Sequence, residues 1–177
     1  MEIKGERVVL ITIKPADKEE FYKLATQTEG AKFWYGEKGR AKITRKKFFD
    51  DWQDDYFNES LPDKGQSFWI VADGEKIGQI NYNAIDLDKK EAELDIIIGE
   101  SQNMGRGYGT DALKTLIRHL FDNFDIDKIW VKTRVNNQRA VAVCEKAGLK
   151  KEALLEKEDM FEGELVDKIV LGILRKN

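Results

Sequence analysis

The stretch that decides the fold reads Glu91-Ala92-Glu93-Leu94-Asp95-Ile96-Ile97-Ile98, then Met104-Gly105-Arg106-Gly107-Tyr108-Gly109-Thr110, then an apolar-striped run. In an extended strand, Glu93, Asp95 and Ile97 share one face and Ala92, Leu94, Ile96 and Ile98 the other. Beyond the glycines, Ala112, Leu113, Leu116, Ile117, Leu120 and Phe121 recur with the spacing of an amphipathic helix. Alternating glycines expose consecutive backbone N–H groups and tolerate unusual dihedrals. The helix that follows adds free N–H groups and the positive end of its dipole. Strand, turn and helix together predict an anion site, most simply for a phosphate.

Two phosphate-binding motifs are poor matches. A Walker loop needs Gly-Lys-Ser/Thr, which is absent here. A dinucleotide fold needs G-x-G-x-x-G in an early βαβ unit, whereas this G-x-G-x-G follows three hairpin-linked strands. A glycine-rich connection without a ligand is the plain alternative for so short a motif.

Working outward, residues 7–13 are β-branched and predict a first strand. Pro15 and Asp17 open a helix to about Thr28, and 32–36, aromatic and ending at Gly36, reads as a loop. Thr44 caps a helix that carries Phe48, Phe49, Trp52 and Tyr56, interleaved with Asp50, Asp51, Asp54 and Asp55. Segments 67–72, 76–84 and 91–98 predict three strands, the first two joined at Asp73-Gly74. A strand over 128–135, a helix capped at Asn136-Asn137 and stopped by Gly148, and two tail strands over 150–161 and 166–174 complete the chain. The order β-α-α-β-β-β-α-β-α-β-β predicts an α/β class with a central mixed sheet, mostly antiparallel, of about seven strands and helices on both faces.

At 177 residues the chain is expected to form a single domain over 1–177. Charged residues make up 36%, against about 25% on average, yet 30 basic and 33 acidic residues nearly cancel to −3. That balance argues against nucleic-acid binding through a basic surface. No apolar run is long enough to span a membrane and no signal peptide is visible, so a cytoplasmic protein is expected. One cysteine, Cys144, and one histidine, His119, leave no internal disulfide and argue against a metal site.

The glycine turn and its helix resemble the acetyl-CoA loop, Q/R-x-x-G-x-G/A, of the GCN5-related N-acetyltransferases (GNAT). Residues 137–149, Asn-Gln-Arg-Ala-Val-Ala-Val-Cys-Glu-Lys-Ala-Gly-Leu, resemble that family's N-x-R-A-x-x-x-Y-E-K-x-G-F. The resemblance covers essentially the whole chain. The strand at Ala92-Glu93-Leu94 and the tail at 160–167 look like the ribosomal-protein and spermidine acetyltransferase branch. The segment Phe33-Trp34-Tyr35-Gly36-Glu37 and the placement of Asp95 look like aminoglycoside 6′-N-acetyltransferases. The resemblance implies acetyl-CoA as co-substrate, no metal, and direct transfer of acetyl to a primary amine in a ternary complex. The implied acceptor is a protein N-terminus or a polyamine-like cation, with an aminoglycoside as the alternative. Homodimers are common among similar enzymes. A binding module that holds acyl-CoA without turnover is the alternative of another class.

The resemblance also assigns roles. Met104, Gly105, Arg106, Gly107, Tyr108, Gly109 and Thr110 would surround the pyrophosphate, and Asn137 and Arg139 would meet the cofactor arm. A backbone N–H near Ile97 or Ile98 would bind the thioester carbonyl, beside a splay between this strand and 129–133. Met104 stands where Gln or Arg is common. Cys144 stands where a tyrosine often protonates the leaving thiolate, so it is the candidate acid, with a small core residue as its plain alternative.

Chemistry points to two further groups. A Lys-like amine with pKa of about 10.4 must lose a proton before it attacks. Glu93 and Asp95, two residues apart on one face, are the candidate bases, against the alternative of a solvated strand face. Trp34 and Tyr35 are candidates for the acceptor wall, and the Asp50–Asp55 acids for a rim that attracts a polycation.

Overall fold

The computed structural model describes residues 1–52 and 54–176, with the side chains of Asp54 and Asp55 outside that description. Eight strands form one sheet: β1 (Glu2–Lys4), β2 (Val9–Thr12), β3 (Gln66–Ala72), β4 (Glu75–Tyr82), β5 (Glu91–Ile98), β6 (Lys128–Arg134), β7 (Lys150–Phe161) and β8 (Glu164–Leu174). Their order is β1-β2-β3-β4-β5-β6-β8-β7. Every neighbouring pair is antiparallel except β5–β6. The helices are α1 (Lys18–Gln27), α2 (Ala31–Tyr35), α3 (Glu37–Arg40), α4 (Arg45–Asp51), α5 (Tyr108–Asn123) and α6 (Gln138–Ala147).

The mixed, mostly antiparallel sheet agrees with the expected class. Three local expectations are corrected. The helix capped at Thr44 ends at Asp51, where Trp52 leaves helical geometry with φ −98° and ψ 82°, and Tyr56 lies in a separate 3-10 turn, Asp54–Phe57. The first strand is preceded by another, because Ile3 pairs with Leu10 in a hairpin. Residues 32–35 are helical rather than a loop and Gly36 ends the helix, its N–H closing onto the Lys32 carbonyl and its φ reaching 74°. A helix that short carries too few residues to show its period.

Alternation along the strands gives the sheet two unlike faces. Leu10, Phe68, Ile80, Leu94, Ile129 and Leu171 are fully buried against α5 and α6. Each such Leu or Ile contributes about 1.5–3 kcal/mol by leaving water. The other face carries Trp69, which with Phe21, Phe48 and Phe57 forms a second core beneath α1 and α4. Toward β5, β6 and β8 that face turns polar: Gln79, Asn81, Glu93, Asp95, Lys132, Arg134 and Lys168 all lie on it by register.

Asp111 fixes the start of α5 against the first hairpin. Its buried carboxylate accepts from the backbone N–H groups of Glu6, Arg7 and Val8 at 3.2, 2.7 and 2.9 Å. No helix among the described residues is long and apolar enough to cross a membrane.

Candidate active site

The parallel pairing of β5 with β6 ends early. Glu91, Ala92 and Glu93 pair with Lys128, Ile129 and Trp130, and beyond them the strands diverge. The Gly99 N–H donates to Ile77 and the Asn83 N–H to Glu93, so odd-numbered residues of β5 bond to β4. The even-numbered ones therefore direct their backbone groups into the gap. Ile97 is tied to Gln79, and the Ile98 N–H is the amide that faces the gap. The Ile96 carbonyl, on the same side, accepts from the Trp34 indole at 3.2 Å.

The gap opens into a cavity of about 740 Å³. At one end lies the glycine turn. Gly105 and Gly107 hold left-handed φ values of 75° and 88°, and Gly107 caps α5. A side chain at either position would strain this turn. Met104, Gly105, Gly107, Gly109 and Thr110 line the cavity, and nothing stands within 4 Å of where a Gly105 Cβ would project. The open cradle and the helix end fit an anionic phosphate group. Two members of the motif turn away from the cavity. The Arg106 side chain is exposed, with its carbonyl taken by Arg7, and the Tyr108 hydroxyl donates to Asp73 at 3.0 Å.

Across the mouth, Arg139 donates to the Met104 sulfur at 3.3 Å and sits 5.8 Å from the Phe33 ring centroid. Asn137 lines the cavity while its side chain caps α6 by accepting from the Ala140 N–H at 3.3 Å. Cys144 lies on the inner wall, 1% exposed and packed in the main core. Burial pushes its thiol up to about 12.

Asp95 occupies the other end. Glu93 lies beside it, outside the cavity lining, and Asn83 joins the two. The Asn83 amide donates to Glu93 at 3.1 Å and to Asp95 at 3.3 Å. The Asn83 carbonyl accepts from the Tyr56 hydroxyl and the Asn81 amide, each at 3.0 Å, and Asn81 accepts from Gln79 at 3.0 Å. Burial pushes the Asp95 carboxyl above the ordinary carboxylate range, against the pull of Asn83, Asn81, Lys132 and Lys168. Burial, and then the Asp95 charge, raises Glu93 too.

Trp34 and Trp52 wall this end, their rings 6.1 Å apart and within 12° of parallel. Tyr35 stands edge-on to Trp34 and outside the cavity lining. Arg134 secures α2 over the site. Its guanidinium donates to the Phe33 and Trp34 carbonyls at 2.9 and 3.0 Å and stacks 3.9 Å from the Phe161 ring centroid. Its Nε lies 2.7 Å from Asp159, an ionic contact without hydrogen-bond alignment. The acids of α4 are matched within the helix: Lys46 pairs with Asp50 and Lys47 with Asp51, all exposed. The remaining two acids of that proposed rim, Asp54 and Asp55, have side chains outside the described residues.

The structure adds Asn83, Tyr56, Trp52, Lys132, Arg134 and Lys168 to the residues expected at the site. Only the Gln79-Asn81-Asn83 alternation carried a signal in the sequence, as polar residues alternating with Ile80 and Tyr82. Among the described residues no cluster of His, Cys, Asp or Glu is placed to hold a metal ion.

A family match decides the identity. The acetyltransferase (GNAT) domain matches residues 7–150. The chain belongs to the GNAT acetyltransferase family. Its relatives include an uncharacterized N-acetyltransferase p20 from Bacillus licheniformis, 25% identical over 66% of each chain. Another is a spermidine N(1)-acetyltransferase from Vibrio cholerae, 26% identical over 67% of this GNAT chain and 69% of that protein. The p20 match thus spans just under two thirds of that relative. Among solved structures, the ribosomal L7/L12 alpha-N-protein acetyltransferase RimL in complex with coenzyme A superposes with a TM-score of 0.84 over 98% of both chains, at 17% identity. That likeness speaks for a shared GNAT fold.

Proposed function

We propose that this GNAT chain transfers acetyl from acetyl-CoA to a primary amine by direct attack. One observation carries the reading: a single cavity joins the glycine turn at α5, through the β5–β6 gap, to Asp95. Acetyl-CoA supplies the acetyl group as an activated thioester. The turn amides and the positive end of α5 would hold its pyrophosphate. The Ile98 N–H would donate to the thioester oxygen as negative charge builds there.

Asp95 does the proton work. A carboxyl raised by burial is a stronger base than an exposed one. It receives the proton that the amine gives up as the new N–C bond forms and the C–S bond breaks. The sulfur leaves as thiolate and takes its proton from water. A thiol held near 12 is a poor donor to a thiolate of ordinary pKa, about 8.5, so Cys144 is read as part of the core wall.

Free-thiol release from acetyl-CoA, measured with a panel of amines, tests the reading. Saturable release that depends on one amine supports it. Micromolar acetyl-CoA binding without release from any amine would instead favour the binding-module alternative.

A further inference from the structure

The acceptor end of the cavity carries cations as well as acids. Cross-strand register places Lys132 opposite Val170 and Arg134 opposite Lys168, so both lysines share the sheet face of Asp95. All three basic residues line the cavity with Asp95. Arg134 is consumed by two carbonyls, Asp159 and the Phe161 ring. The lysines are not. Lys132 comes no nearer than 3.9 Å to Glu158, and Lys168 no nearer than 3.6 Å to Asp159, an oxygen that Arg134 already holds at 2.7 Å. Each lysine side chain keeps about a quarter of its surface exposed, at 29% and 23%.

Asp95 and, behind the lining, Glu93 attract both lysines. Yet Asp95 is the one acid among the described residues that line this cavity, so the two ammonium groups outnumber it there and repel a further cation. A polyamine would bring extra ammonium groups beside them. It would also need surplus acids in the lining, yet Glu93 stands outside it and the described acids of α4 are matched by Lys46 and Lys47. An anion between the lysines removes the conflict and leaves Asp95 for the amine.

Resting on the acetyltransferase reading, we infer that the acceptor is an amine bearing its own anionic group, a carboxylate or a phosphate ester, held by Lys132 and Lys168 while Asp95 takes the amine. Trp34 and Trp52 form the apolar wall against which the linking atoms lie. Complementarity of this kind selects among amines, since a wrong-sign group meets like charge.

Matched acceptors test this on the full chain by thiol release. The pairs are 2-aminoethyl phosphate against ethanolamine, and Ser-Asp-amide against Ser-Asn-amide, with spermidine as the polycation. The anionic member of at least one pair should exceed its neutral twin about tenfold or more in kcat/KM, and which pair does so tells phosphate from carboxylate. The ratio should approach one in the Lys132→Met, Lys168→Met double variant and fall below one in Lys168→Glu. A ratio taken within one enzyme is insensitive to the fraction folded. Preference for spermidine or for the neutral twins overturns the inference alone, as does a ratio that survives the double substitution. No release from any acceptor overturns the acetyltransferase reading and this one with it.

Discussion

Asn83 donates its side-chain amide to Asp95 at 3.3 Å, and the same nitrogen reaches Glu93 at 3.1 Å. The amide cannot turn over, because its oxygen already accepts from Tyr56 and Asn81. Burial and the two carboxyls push the Tyr56 phenol up, which keeps it a donor. Asn83 thus opposes the desolvation that raises both acids.

The Asn83→Ala variant should shift the pH profile. Removing a donor to the ionised form raises both carboxyl pKa values further. A base works only when deprotonated, so the acidic limb of kcat/KM moves to higher pH. At neutral pH kcat/KM should fall about tenfold. An unmoved limb would show that neither acid limits turnover.

Asp95→Asn should trade activity for stability. We expect kcat/KM to fall about a hundredfold. A carboxyl whose pKa is raised on folding binds its proton more tightly when folded, so its ionisation costs stability above the folded pKa. The variant escapes that cost, and its Tm at pH 7 should exceed the wild type by a few degrees. The advantage should shrink as pH falls through the folded Asp95 pKa toward the unfolded value. Calorimetry at two pH values reads both effects.

Asp111→Ala should cost about 3 kcal/mol in denaturant unfolding. Three backbone N–H groups, from Glu6 to Val8, lose a charged acceptor at once. A loss below about 1 kcal/mol would mean that water replaces the carboxylate freely.

Cys144→Ala should keep kcat within about twofold, because a thiol raised to about 12 is not the proton source. The cost should appear in stability instead, about 1 kcal/mol for a small cavity in the main core. A tenfold fall in kcat with an unchanged Tm would restore Cys144 as the acid.

The cofactor half of the site was legible in the sequence because it is local. Gly105, Gly107 and the stripe from Ala112 to Phe121 specify turn and helix through nearest neighbours alone. Strand alternation likewise placed Glu93 and Asp95 on one face, which the register bears out. Arg106 and Tyr108 belong to the same motif, but local spacing does not report where a turn side chain points: Asp73 draws Tyr108 aside, and the Arg106 side chain is exposed outside the cavity lining.

The acceptor half needed the tertiary structure. Lys132 and Lys168 lie far apart in sequence and meet Asp95 only because β8 pairs with β6 and β6 parts from β5 after Glu93. In the sequence, Asp50 and Asp51 suggested an acidic rim, and only the helix geometry shows Lys46 and Lys47 neutralising them. Periodicity and turn chemistry act over a few residues, and they determined the elements and the open glycine turn. Charge balance in a cavity sums over strands brought together by folding, so only the tertiary structure bears on which amine the cavity suits.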